Sequence, residues 1–146
     1  MKKMLLFVLV TNVILLSSCK KDNLYQSTKE KIKGSWKYEK VTFTGKFSIF
    51  SQDVTNEYKD LLLQFDDASF NQININGNNS IQGNWEVDNY YTNDDSYNLM
   101  IYGNINDTFN KRNYDYTWEN VYVTNKKLTF TESKKEGIYS YKLIKY

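Results

Sequence analysis

The chain has 146 residues, 40% hydrophobic and 25% charged, with 19 basic residues against 17 acidic ones and a formal charge of +2. That length suits one hydrophobic core rather than two domains. With no basic cluster beyond pairs such as Lys126-Lys127 and Lys134-Lys135, it also leaves no electrostatic footprint for nucleic acid. Histidine is absent and Cys19 is the only cysteine, which excludes Ser-His-Asp and Cys-His catalysis, His or Cys zinc sites and any disulfide within the chain.

The chain opens Met1-Lys2-Lys3, continues through an apolar stretch from Met4 to Leu16, and reaches Leu16-Ser17-Ser18-Cys19. Those 13 residues fall short of the roughly 20 that span a bilayer. The arrangement resembles a bacterial lipoprotein signal ending in a lipobox. The resemblance implies that residues 1–18 are removed and that the Cys19 sulfur carries a diacylglycerol. Its buried methylenes, at about 0.8 kcal/mol each, anchor an otherwise water-soluble chain. Loss of Lys2 and Lys3 takes the 19 basic residues to 17, equal to the 17 acidic ones, so the positive balance belongs to targeting. In such lipoproteins an aspartate after the cysteine holds the protein at the inner membrane, whereas Lys20 and Lys21 stand here. The implied destination is the outer membrane, lipid-anchored at its periplasmic face or at the cell surface. Cys19-Lys20-Lys21-Asp22-Asn23 also resembles the charged stretches that send some Bacteroidota lipoproteins to the surface.

Residues 19–31 read as the lipidated cysteine and a polar tether. At its end Ser27-Thr28-Lys29-Glu30 has capping-box spacing, with Ser27 as N-cap, and Gly34 is placed to stop the short helix. From there the apolar period is mostly two. Trp36 and Tyr38 share one face and Val41 and Phe43 the opposite parity, which predicts a bulge near Glu39-Lys40. Leu61, Leu63 and Phe65 form the next strand. Ile73 and Ile75 lead into Asn76-Gly77, a hairpin turn whose return strand carries Ile81, Trp85 and Val87. Strands follow at Tyr97-Leu99-Ile101, Val121-Val123, Leu128-Phe130 and Tyr139-Tyr141-Leu143, with turns at Asn125-Lys126 and Glu136-Gly137. Three polar stretches read as long connections: residues 44–60, with helical spacing of Val54, Tyr58, Leu61 and Leu62, residues 88–96 and residues 103–115. About eight short strands with hairpin turns predict an all-β domain over residues 32–146, an antiparallel up-and-down barrel whose closure removes exposed edges.

Candidate chemistry is sparse. Asp66-Asp67 and Asp94-Asp95 are neighbours in sequence, which does not set two carboxylates across a bond, and Asn93-Asp94-Asp95-Ser96 lacks the spacing of an EF-hand loop. The expectation is no enzyme, no metal and no cofactor. The abundance of Asn and Tyr, the lone Arg112 and the absence of proline fit an AT-rich coding bias, and most of the 13 tyrosines are expected to pack half-buried strands.

Gly34-Ser35-Trp36 at the start of the first strand resembles the Gly-x-Trp motif of lipocalins and related calycins. The order that follows, Leu61-Leu62-Leu63-Gln64-Phe65, Phe70 and Gly83-Asn84-Trp85-Glu86-Val87, is similar to lipocalin-like domains of small Bacteroidota lipoproteins over residues 32–145. The resemblance implies a barrel closed at one end by Trp36, with Gly34 permitting its close approach. It also implies an arginine from the last strand over the indole. That strand offers Lys142 and Lys145 instead, and Lys142 is expected to take part of that role. The implied function is a membrane-tethered, non-enzymatic protein whose barrel mouth binds a small apolar or amphipathic ligand, with Phe47, Tyr58, Tyr90, Tyr91 and Phe109 as candidate contacts. The alternative is a filled barrel that contacts another envelope protein or a surface polysaccharide, because eight strands leave room either for one small ligand or for side chains.

Overall fold

A computed structural model of the chain describes residues 26–76, 80–91, 97–107 and 111–146. The lipobox with Cys19 lies outside these residues, as do Asp94, Asp95 and Phe109. Ten strands form one antiparallel sheet: β1 (Gly34–Gly45), β2 (Ser51–Asp53), β3 (Leu61–Phe65), β4 (Ser69–Asn74), β5 (Ser80–Asn84), β6 (Glu86–Tyr91), β7 (Tyr97–Asp107), β8 (Arg112–Val123), β9 (Lys127–Lys134) and β10 (Gly137–Lys145). β1 pairs with β10, which closes the sheet into an eight-strand up-and-down barrel. The two counts agree because two staves are interrupted. β5 and β6 both pair with β7 on either side of Trp85, and β2 and β3 both pair with β1 on either side of a single 3-10 turn at Thr55–Glu57. Among the described residues no helix is long and apolar enough to cross a membrane.

Alternation of side chains fills the interior from every stave. On β1 the partners shift between Tyr38 and Lys40, so the inward parity changes from Trp36 and Tyr38 to Val41 and Phe43, as the sequence pattern predicts. A second shift, between Glu119 and Tyr122 on β8, is built on Asn120 at φ 53°. Asparagine tolerates this left-handed conformation better than most residues, and its amide reaches the Thr131 hydroxyl at 3.0 Å. The 44–60 connection contains β2 and the 3-10 turn rather than a longer helix. Asp53 pins it by accepting hydrogen bonds from the Thr55 hydroxyl and amide at 2.6 and 2.9 Å, which hold its carboxyl below the usual range. Residues 103–115, expected as a loop, are mostly strand. β7 runs on to Asp107, β8 starts at Arg112, and Asn104 lies opposite Asp115. The polar residues that suggested a loop are the outward half of two alternating strands whose inward half includes Ile105 and Tyr116, both buried.

One end of the barrel is shut. A helix over residues 26–32 lies across it with Ile32 and Thr28 buried. Ser27 falls inside this helix rather than capping it, and Glu30 turns to Gln26 and Lys33 instead of back to an amide. Trp36 is fully buried beneath the helix and donates its indole Nε1–H to the Ile32 carbonyl at 2.6 Å. Directly across the strand pair stands Lys145, whose ammonium lies 4.3 Å from the indole centroid and donates to the carbonyls of Lys31, at 3.2 Å, and Lys33. The cation over the ring is thus Lys145. Lys142 has the opposite parity and pairs outside with Glu39 at 2.7 Å. The same ammonium occupies the negative end of the helix, where cations are favoured. Burial pulls its pKa below the ordinary lysine value, so the ring and the two carbonyls are what hold a charge there. Gly34 has φ +106°, and a Cβ on it would stand 3.1 Å from the Lys145 ammonium.

Two substitutions measure this closure by urea unfolding. Lys145→Met keeps the aliphatic stem and removes the charge, and is expected to lower stability by about 1–2 kcal/mol, the range of a partly desolvated cation–π contact. Gly34→Ala is expected to lose about 1–2 kcal/mol from the left-handed backbone alone. Retention of wild-type stability by both variants would remove the ring, cation and helix from the account of how the barrel closes.

Candidate functional site

The open end gathers the loop after β1, the β9–β10 turn and the upper ends of the staves. Inside it the interior is an aromatic stack. Trp118 and Phe130 rings lie 4.5 Å apart and Phe130 and Tyr141 4.7 Å apart, and Tyr58 meets Tyr38 and Tyr141 at 5.2 and 5.7 Å. Deeper in, Phe65 contacts Trp85 at 5.2 Å and Phe70 contacts Tyr116 at 5.3 Å. Such pairs stabilise beyond the area they bury. They leave a cavity of about 190 Å³ at the mouth, bounded by Tyr38, Tyr58, Gln72, Glu132, Lys134 and Tyr141 among others.

The polar groups in this cavity hydrogen-bond to one another. Tyr38 donates to the Gln72 carbonyl at 3.2 Å, and Tyr141 donates to Glu132 at 2.8 Å. The Lys134 ammonium lies 3.1 Å from the same carboxylate and 4.9 Å from the Tyr139 ring centroid. Burial acts to lower the Lys134 pKa, but Glu132 beside it outweighs this and the value is raised. Burial pushes the phenols of Tyr38, Tyr116 and Tyr141 upward, so they stay neutral. Among the described residues no group of three or more His, Cys, Asp or Glu side chains is placed to hold a metal ion. Asp66 and Asp67 sit in the β3–β4 turn, where the Asp66 carbonyl accepts the Trp85 indole at 2.8 Å and the Asp67 carboxylate pairs with Lys33 at 2.5 Å.

The loop after β1 carries the second feature of this end. Phe47, Ile49 and Phe50 are 97, 89 and 75% exposed, although the backbone that carries them is tied down. The Ser48 amide donates to the Gly45 carbonyl at 2.9 Å, the Ser48 hydroxyl bridges both backbone groups of Phe50, and the Lys46 amide donates to the Glu136 carbonyl of the β9–β10 turn at 3.0 Å. Three large apolar side chains are therefore held in water by a built turn, the kind of patch that marks an interaction site.

The structure spreads the candidate contacts apart. Tyr58 lines the cavity, and Phe47 stands outside it at the loop tip. The backbones of Tyr90 and Tyr91 end β6, which runs towards the closed end, away from both. The sequence reading passed over Ile49, Phe50, Glu132 and Lys134. The first two were legible as an apolar run continuing from Phe47 between polar residues. The other two were legible by parity, since they share the inward face of β9 with Leu128 and Phe130.

The buried phenols make stability fall in alkali. Unfolded tyrosines ionise near pH 10 while Tyr38, Tyr116 and Tyr141 keep their protons in the folded chain, so the folded state binds more protons and loses stability as pH rises through about 10. Tyr38→Phe is expected to reduce that slope by about 1.4 kcal/mol per pH unit, one proton's worth. Urea unfolding between pH 8.5 and 11 measures it, and an unchanged slope would mean that the Tyr38 phenol titrates in the folded protein.

No family model matches this chain, and neither the curated proteins nor the solved structures yield a match.

Proposed function

We propose that the chain is a membrane-anchored, non-enzymatic envelope lipoprotein whose filled, lipocalin-like barrel is a rigid platform that works through its surface rather than by carrying cargo. The observation that carries this reading is the contrast at the open end. The interior space, about 190 Å³, falls below the roughly 300–1,000 Å³ of ligand pockets, whereas Phe47, Ile49 and Phe50 are displayed in solvent on a pinned turn. The lipobox supports anchoring through Cys19 at the outer membrane. Trp36 beneath a cation, next to a short helix, supports the lipocalin-like resemblance, with lysine in place of arginine. The helix over residues 26–32 lies at the closed end, and the apolar tip lies at the opposite, open end of the barrel.

A carrier of one small amphipathic ligand is the second reading, favoured by the tyrosines, Gln72 and Glu132 around the mouth cavity. Native mass spectrometry of residues 20–146 produced without lipid, exposed to envelope lipid extract, separates the two. A bare protein mass is expected, and an added mass that disappears on denaturation would transfer the assignment to the carrier. In cells, a photo-reactive group at Phe47 is expected to give one discrete protein adduct. Ile49→Ser with Phe50→Ser should abolish it, and the same group at exposed Tyr122 should not give it. Equal adducts from both positions would refute the contact surface. Cys19→Ser is expected to move the protein from the membrane to the soluble fraction, and retention of the variant at the membrane would refute the lipid anchor.

A further inference from the structure

A different face of the barrel, away from the mouth, is lined with amides. Cross-strand register places Gln64 opposite Asn71, Asn71 opposite Gln82, Gln82 opposite Asn106 and Asn106 opposite Asn113, one unbroken outward row over β3, β4, β5, β7 and β8. The neighbouring row holds Ser69, Asn84, Asn104 and Asp115. The surface sinks between them. The stave breaks at Trp85, and the Asn84 carbonyl turns inward, where it accepts the Tyr116 hydroxyl at 2.9 Å. Gly103 makes room for it, since a Cβ there would lie 2.1 Å from that oxygen. Two shallow hollows of about 450 and 710 Å³ result, and they share Asn84 and Asn104, so they form one trough.

We infer that this trough binds a neutral oligosaccharide segment. A side-chain amide carries an acceptor and two donors on one flat group, a match for sugar hydroxyls, which both donate and accept. Gln64 already donates to the Ser35 hydroxyl at 3.1 Å and the Asn84 amide oxygen already accepts the Asn104 backbone N–H at 2.7 Å, so Asn71, Gln82 and Asn106 are the amides assigned to the glycan. Across the sheet the amides recur at the strand spacing of about 4.8 Å, a step comparable with one ring of an extended glycan. Tyr102, 37% exposed at the edge of the larger hollow, presents a ring for the apolar face of a sugar, and its hydroxyl is fixed to Glu86 at 3.0 Å. Charge selects the class of glycan. Among the described residues no lysine or arginine lines either hollow, and the two acids of the larger one already accept hydrogen bonds, Glu86 from Tyr102 and Asp115 from the Asn104 amide at 3.1 Å. A sulfated or uronic acid polymer would meet two carboxylates and no cation. The site is independent of the loop tip, so the failure of either leaves the other standing.

The test titrates the purified full chain, with Asn and Gln side chains labelled with nitrogen-15, against cellohexaose, maltohexaose and a linear mannohexaose, with a heparin hexasaccharide as anionic control. At least one neutral probe is expected to give saturable shifts confined to the side-chain amides of Asn71, Gln82, Asn106 and their row neighbours. Gln82→Ala with Asn106→Ala, both at exposed positions, should weaken binding at least about tenfold, two hydrogen bonds' worth, while Phe47→Ser leaves it unchanged. Tyr102→Ala is the second probe of the same site and should weaken binding without moving the amide shifts elsewhere. Absence of saturation with every neutral probe, equal binding of heparin, or full binding by the double variant would overturn the assignment.

Discussion

The barrel hangs on one buried indole. Trp36 has Leu63 opposite it on β3 and Lys145 opposite it on β10, so it sits where the first strand joins both of its neighbours near the closed end. Its nitrogen holds the helix through the Ile32 carbonyl, and its face holds the ammonium that caps the same helix. Removing so large a fully buried side chain costs about 3–5 kcal/mol, a sizeable part of a typical domain's stability. With no disulfide available, the seam is held by side-chain packing, the β1–β10 hydrogen bonds, the Lys145 ammonium over the indole and the Lys142–Glu39 ion pair.

The rest of the interior extends from that seal by ring contacts, from Phe65 and Trp85 through Phe70, Tyr116 and Trp118 to Phe130, Tyr141 and Tyr58 at the mouth. Aromatic packing of this extent is the reason an eight-strand barrel here encloses little space. It also separates two properties that a barrel can combine. The mouth cavity is small and its polar groups bond to each other, whereas the exposed loop tip and the amide trough are open surface.

Most of this architecture was legible in the sequence because alternation is a strong signal where the inward residues are apolar. The parity change across Glu39, the hairpin between β4 and β5 and the turns before β9 and β10 all follow from that pattern. Where the pattern failed, polar outward residues hid it. Asn104, Asn106, Asn113 and Asp115 made β7 and β8 look like a loop, and three of them, Asn104, Asn106 and Asp115, line the trough once the strands are paired. Lys142 was favoured over Lys145 for want of the parity that Tyr139, Tyr141 and Leu143 already supplied. The trough itself had no local signal in the chain. Its row is assembled from five strands, and only the register says that Gln64 and Asn113 lie on one line.

Closure by β1 and β10 bears on the order of assembly. Every other neighbouring pair of staves is joined by a short connection or lies close in sequence, whereas β1 and β10 are separated by almost the whole domain. Contacts of such separation form late and slow the folding of all-β proteins. Until β10 docks, β1 presents an open edge and Trp36 lacks the Lys145 ammonium over its ring. Pairing of β10 is therefore the step that both removes the open edge and sets the Lys145 ammonium over Trp36.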